Sequence, residues 1–174
     1  MKVEVVLLCE DEQSACFARR FLKELGYKAW QLREEKPPLG KGSGEQWVRE
    51  RMPIELRAMR DAHSKALIVM TDSDAMGAQE RAETLRRKCL DEGVEWRRAD
   101  EAVLLIIPAR NIETWLAWLR GESVDETQTY RKYASESDCR DQARELVGMC
   151  RSGKLRQPAP SSLVTACEEW NRMP

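Results

Sequence analysis

The 174 residues suit one domain with a small appendage and are enough for a real hydrophobic core. With 42% apolar residues, 34% charged residues and a net charge of −1, the chain reads as a soluble, folded protein; that balance excludes bulk electrostatic attachment to DNA or to a membrane surface. A polyanionic partner must therefore meet a local basic patch.

The first apolar run, residues 3–9 (VEVVLLC), carries Glu4 and is too short for a signal or transmembrane segment, so a cytoplasmic location without a membrane partner is expected. The same run reads as a strand buried on both faces. A helix follows, with Phe17, Phe21, Leu22 and Leu25 on one face and Gly26 as its stop. Residues 27–32 suit a short second strand, and residues 34–44 (EEKPPLGKGSG) break every periodicity and predict a loop. Its GKGSG stretch fails the P-loop pattern. It reads as a mobile connector, with a loop closing over substrate as the alternative.

Residues 47–62 predict a helix that Pro53 either restarts or kinks. Residues 65–70 form a third strand, 75–90 a helix bearing Ala78, Ala82, Leu85 and Cys89 on one face, and 102–107 a fourth strand ended by Pro108. Asn111 then caps a short helix containing Ile112, Trp115, Leu116 and Leu119. Beyond Gly121 no strand is evident. One amphipathic helix carries Ala143, Leu146, Val147 and Cys150 and stops near Gly153; another begins near Pro160 and carries Leu163, Ala166, Cys167 and Trp170. The expected architecture is an α/β domain over 1–121, with a mainly parallel four-stranded sheet flanked by helices, and a helical extension over 122–174 packed on it.

The six cysteines contain no C-x-x-C pair, and His63 is the single histidine, so a structural zinc site is not supported. Most of the cysteines read as small buried hydrophobes.

Function in open α/β sheets gathers at the carboxyl ends of strands. The first strand delivers Glu10-Asp11-Glu12, the third Asp72-Ser73-Asp74, and the fourth leads to Arg110, Asn111 and Glu113. In an extended segment Asp72 and Asp74 share one side and Ser73 takes the other. If the first and third strands are neighbours, Glu10 faces that pair across about 5 Å. Carboxylates so close repel unless a cation neutralises them, and magnesium or manganese suits such an oxygen-rich site. Two such ions clamp an in-line phosphoryl displacement. A turn with a helix cap explains a lone D-x-D equally well.

These segments resemble the Toprim (topoisomerase–primase) superfamily: VEVVLLCE with Glu10 is similar to its first motif, and ALIVMTDSD with Asp72 and Asp74 to its second. IIPARNIETWL with Glu113 resembles a stretch of small bacterial Toprim-like proteins related to overcoming-lysogenization-defect type nucleases, many linked to phage defence or mobile elements. The resemblance implies that Glu10 acts in acid–base chemistry or metal binding and that Asp72 and Asp74 hold magnesium. The pattern departs at Asp11 and Ser14, where many relatives carry a glycine and a further acid.

The chain is too short for a topoisomerase and lacks the zinc spacing of a primase, which leaves metal-dependent hydrolysis of DNA or RNA, with Arg110 touching the scissile phosphate and Glu113 beside it. Arg19, Arg20, Arg81, Arg86, Arg87 and Lys88 steer a phosphate backbone or simply line solvated helix faces. Two alternatives carry weight: a non-catalytic Toprim-like subunit that binds a protein partner or a second copy of itself, and a phospho-receiver-like domain.

Overall fold

The computed structural model describes residues 4–40, 42–62, 66–133 and 135–174, with the side chains of 136 and 137 left aside. Val3, Lys41, His63 and Lys65, on which parts of the sequence reading fall, lie outside the described residues.

The strands are β1 (Val5–Cys9), β2 (Leu32–Glu35), β3 (Ala66–Met70) and β4 (Val103–Ile106). The helices are α1 (Glu12–Glu24), α2 (Gly44–Ala62), α3 (Ala78–Asp91), α4 (Ile112–Leu119), α5 (Arg140–Ser152) and α6 (Ser161–Trp170). All strands run parallel in the order β2-β1-β3-β4, with Cys9 opposite Met70 and Met70 opposite Ile106. The expected α/β class and parallel four-stranded sheet are thus what the chain forms.

Strands β1, β3 and β4 are apolar at every position because both faces are covered. Val5, Leu7, Ala66, Ile68, Leu104 and Ile106 face a core built with α1, α4, α5 and α6. Val6, Leu8, Leu67, Val69, Val103 and Leu105 face a second core, filled by Val48, Met52 and Leu56 of α2 and Leu85 and Cys89 of α3. Trp115 and Trp170 belong to the first core, as their helical stripes predict. Phe21 stacks on Trp170 at a centroid distance of 4.2 Å, which joins the helix after β1 to the last helix of the chain.

The open edge of β4 is closed by a side chain. Glu169 of α6 accepts a hydrogen bond from the Leu105 N–H at 2.8 Å and pairs with Arg97, whose guanidinium also donates to the Val103 carbonyl at 2.6 Å. The other edge, β2, has the sequence LREE, and its charges discourage strand addition.

Three local expectations shift. The second strand starts at Leu32 rather than in 27–32, because Ala29–Gln31 forms a 3₁₀ turn in which the Gln31 side chain accepts from the Lys28 N–H. Helix α2 begins at Gly44 and runs unbroken through Pro53. Helix α3 begins at Ala78 rather than at 75, since Gly77 at φ +92° stands outside helical geometry.

Cys9, Cys16, Cys89 and Cys139 are buried, as small hydrophobes, whereas Cys150 of α5 and Cys167 of α6 form a disulfide. Among the described residues no helix is long and apolar enough to cross a membrane.

Candidate metal-binding strand edge

The chain leaves β1 towards β2 on one side and β3 towards β4 on the other, so the strand order reverses between β1 and β3. At such a switch point the loops diverge and leave a crevice at the carboxyl ends of the two strands. Glu10 follows β1, and Thr71-Asp72-Ser73-Asp74 follows β3.

Each residue of that tetrapeptide has a separate task. The Thr71 hydroxyl donates to Glu10 Oε2 at 2.6 Å, and the Asp72 backbone N–H donates to the same oxygen at 2.9 Å. Ser73 reaches the loop after β4: its N–H donates to the Pro108 carbonyl at 2.9 Å and its hydroxyl to the Ala109 carbonyl at 2.7 Å. Asp74 takes a left-handed conformation, φ +53°, and its carboxylate pairs with Arg81 at 3.2 Å. The extended alternation expected for Asp72 and Asp74 is therefore not what forms. The segment turns at Asp74, and a residue with a short polar side chain tolerates the positive φ that the turn needs.

Arg81, one of the residues assigned from sequence to a solvated or phosphate-steering face, is only 5% exposed. Its guanidinium donates to the Asp72 carbonyl at 2.9 Å, meets Asp74, and pairs with Glu45 of α2 at 2.8 Å. It is the internal clamp of the turn. Arg19 and Arg20 pair with Glu34 and Glu24, Arg86 and Arg87 share Glu83, and Lys88 pairs with Glu92.

Asp72 is 8% exposed, and its Oδ1 is buried without a hydrogen-bond partner. Burial, and then the charges of Glu10, Asp11, Asp74 and Glu113, push its carboxyl from the ordinary 3.8 up to about 9. Glu10 is also raised, by burial first, against the hydrogen bonds from Thr71 and Asp72 that favour its charged form. Glu113, in the first turn of α4, is 2% exposed, and burial raises it too, with Lys132 drawing it back down. Glu10, Asp72 and Glu113 thus form one electrostatically coupled edge. Arg110 stands apart: it is exposed, and its guanidinium donates to the Thr129 hydroxyl at 3.3 Å.

The donor set fits a hard divalent cation in its chemistry. Two adjacent carboxylates, one with an orphaned buried oxygen, are what magnesium or manganese takes as oxygen ligands, and a cation there offsets the burial of their charge that, ahead of repulsion between acids, raises both pKa values. Among the described residues no three acidic, histidine or cysteine side chains already stand together as a ligand group, and the Arg81–Asp74 pair helps account for this.

The two departures from the Toprim-like pattern have structural roles. Asp11 is the N-cap of α1, its Oδ1 accepting from the Ser14 N–H at 2.8 Å, and Ser14 is buried beneath it. Sequence reasoning missed Thr71 and Gly44. Thr71 sits directly before the D-x-D, where a side-chain donor was not weighed. At Gly44 a Cβ would lie 2.4 Å from the Glu10 carbonyl oxygen, so only glycine lets α2 approach the strand end. The glycine-rich stretch thereby walls a cavity of about 460 Å³ bounded by Glu10, Asp11, Lys36 and Leu39.

Comparison with known proteins finds no matching family model, no matching curated protein and no matching solved structure.

Proposed function

We propose that the protein is a magnesium- or manganese-dependent nuclease that hydrolyses phosphodiester bonds in DNA or RNA, with Glu10 and Asp72 as the principal metal ligands and Asp74 joining them on release from Arg81. The observation that carries this reading is the Glu10–Asp72 pair at the switch point of the sheet, one oxygen held by two donors and another buried with none. The resemblance of Glu10, Asp72 and Asp74 to the Toprim motifs supports it, and with it a role in phage defence or on a mobile element.

When bound, the metal supplies Lewis-acid stabilisation of the charge that develops on the phosphoryl oxygens. Glu10, oriented by Thr71, takes the proton of the attacking water. Glu113 lies in the same buried edge, where burial favours its neutral form, and Arg110 contacts the scissile phosphate from the loop after β4.

A second reading, a non-catalytic subunit that binds a protein partner or a second copy of the chain, is favoured by the pairing of Asp74 with Arg81 instead of with the other two acids.

Calorimetric titration of the purified protein with Mg²⁺ and Mn²⁺, alongside cleavage of single- and double-stranded DNA and RNA, separates the two. The nuclease reading expects metal binding and cleavage, both lost in Asp72→Asn while the circular dichroism spectrum is kept. Wild-type protein that neither binds metal nor cuts any of these substrates overturns it in favour of the subunit reading.

A further inference from the structure

We propose that the cavity lined by Arg120, Arg131, Lys132 and Tyr133 is a subsite for a backbone phosphate of a nucleic acid strand, separate from the acidic edge and adjacent to it. The proposal rests on the nuclease reading for the identity of its ligand.

The cavity, about 540 Å³, lies between the end of α4 and the segment that precedes α5. Its charged lining is Arg120, Arg131 and Lys132 against Glu122 and Asp138. The two acids have local duties: Glu122 pairs with Arg120 at 3.0 Å, and Asp138 accepts from the Ser135 N–H at 2.9 Å. Among the described residues Arg131 and Lys132 have no carboxylate within ion-pair distance, a condition they share with other exposed cations such as Arg151 and Lys154; unlike those two, they line one cavity side by side. Two exposed cations side by side without a carboxylate partner give a concave surface a positive potential that attracts anions. Tyr133 also lines the wall; its hydroxyl is buried and without a hydrogen-bond partner.

Position connects this cavity with the acidic edge. Both backbone groups of Tyr133 are held by one side chain of α1: its N–H donates to Gln13 Oε1, and its carbonyl accepts from Gln13 Nε2, each at 3.2 Å. Gln13 lies in the first turn of α1, two residues after the Asp11 cap and three after Glu10. The Thr129 hydroxyl, earlier in the same segment, accepts from Arg110. Lys132 is close enough to Glu113 for its charge to act on that buried carboxyl. The segment is thus stitched to the strand edge at both ends, and its cations sit beside the acids without neutralising them. A strand with one phosphate at Glu10 and Asp72 would be met by the Arg131–Lys132 pair at another.

The test is anisotropy of fluorescein-labelled single- and double-stranded DNA and RNA oligonucleotides in EDTA, where binding needs neither metal nor cleavage. Arg131→Ala/Lys132→Ala is compared with wild type and with Arg151→Ala/Lys154→Ala, which removes the same charge from two exposed residues at the end of α5. We expect the cavity variant to lose about tenfold or more in affinity and the slope of log K against log salt to fall by about one to two, as two lost phosphate contacts require, with the α5 variant close to wild type. Inorganic phosphate in competition distinguishes a free-anion pocket from a strand-binding one: millimolar phosphate that displaces the oligonucleotide from wild type but changes nothing in the cavity variant supports the subsite. Wild type that binds no oligonucleotide, or a folded cavity variant with unchanged affinity and salt slope, overturns the proposal. In that last case cleavage and metal binding by wild type still judge the nuclease reading independently.

Discussion

Asp72→Asn in metal-free buffer offers the sharpest physical test of the strand edge. An acid whose folded-state pKa is raised binds its proton more tightly in the native than in the unfolded chain. Stability is then unaffected below the unfolded value of 3.8, and falls as pH climbs from there towards about 9. Roughly three pH units separate 3.8 from neutrality, and at about 1.4 kcal/mol per unit the proton that Asp72 must take up on folding costs the apo protein on the order of 4 kcal/mol at neutral pH. The asparagine removes that cost but leaves a buried amide incompletely paired, a penalty of about 1–2 kcal/mol. The net gain is about 2–3 kcal/mol, a rise in Tm of about 5–10 °C for a chain of this size. Urea unfolding in EDTA, followed by circular dichroism from pH about 4 to about 8, reads this directly, with the advantage of the variant vanishing at the acid end. Mg²⁺ at about a hundred times its Kd erases the advantage of the variant, because it adds about 2.7 kcal/mol to wild type alone. A variant less stable than wild type at neutral pH in EDTA, or a difference that does not change with pH, refutes the reasoning.

Three further substitutions probe the supports of the same edge. Thr71→Val removes the hydroxyl that donates to Glu10; Mn²⁺ affinity measured by calorimetry is expected to fall about 10–100-fold with little loss of stability, as for other residues that orient metal ligands. Gly44→Ala drives a Cβ into the Glu10 carbonyl and is expected to cost about 1–3 kcal/mol in urea unfolding, while Ala at Gly148, where nothing lies within 4 Å of the new atom, leaves stability unchanged or improved. Glu169→Ala strips the Leu105 N–H and Arg97 of their shared partner; a loss of about 2–4 kcal/mol is expected, together with concentration-dependent association in sedimentation as the β4 edge opens.

Periodicity carried the architecture. Apolar runs such as VVLLC, ALIVM and VLLI have no polar face to give to solvent, so they read as strands covered on both sides, and the intervening stripes of apolar residues at helical spacing supply the cover. The acids after β1 and β3 were legible for the same reason, since a parallel sheet brings its strand ends to one edge. Where the reading slipped, a local hydrogen bond or a positive φ outweighed pattern: the Gln31 side chain in the 3₁₀ turn before β2, and Gly77 before α3. Asp74 is the instructive case. Alternation placed it beside Asp72, but alternation holds only while the backbone is extended, and the turn at φ +53° sends it to Arg81.

By itself the sequence determined most of the strands and helices to within a few residues, that the sheet is mainly parallel, and that Glu10, Asp72 and Glu113 follow its strands, because burial and chain period are local properties of the chain. Tertiary structure alone decided what each of those acids touches. Arg81 is a buried clamp instead of a surface cation, Asp11 is a helix cap, Gly44 is a point of close approach, and Glu169 seals the edge of β4 across 64 residues of chain. Such contacts join residues far apart in sequence, and neither propensity nor spacing encodes which distant partner a polar group will find when the chain closes.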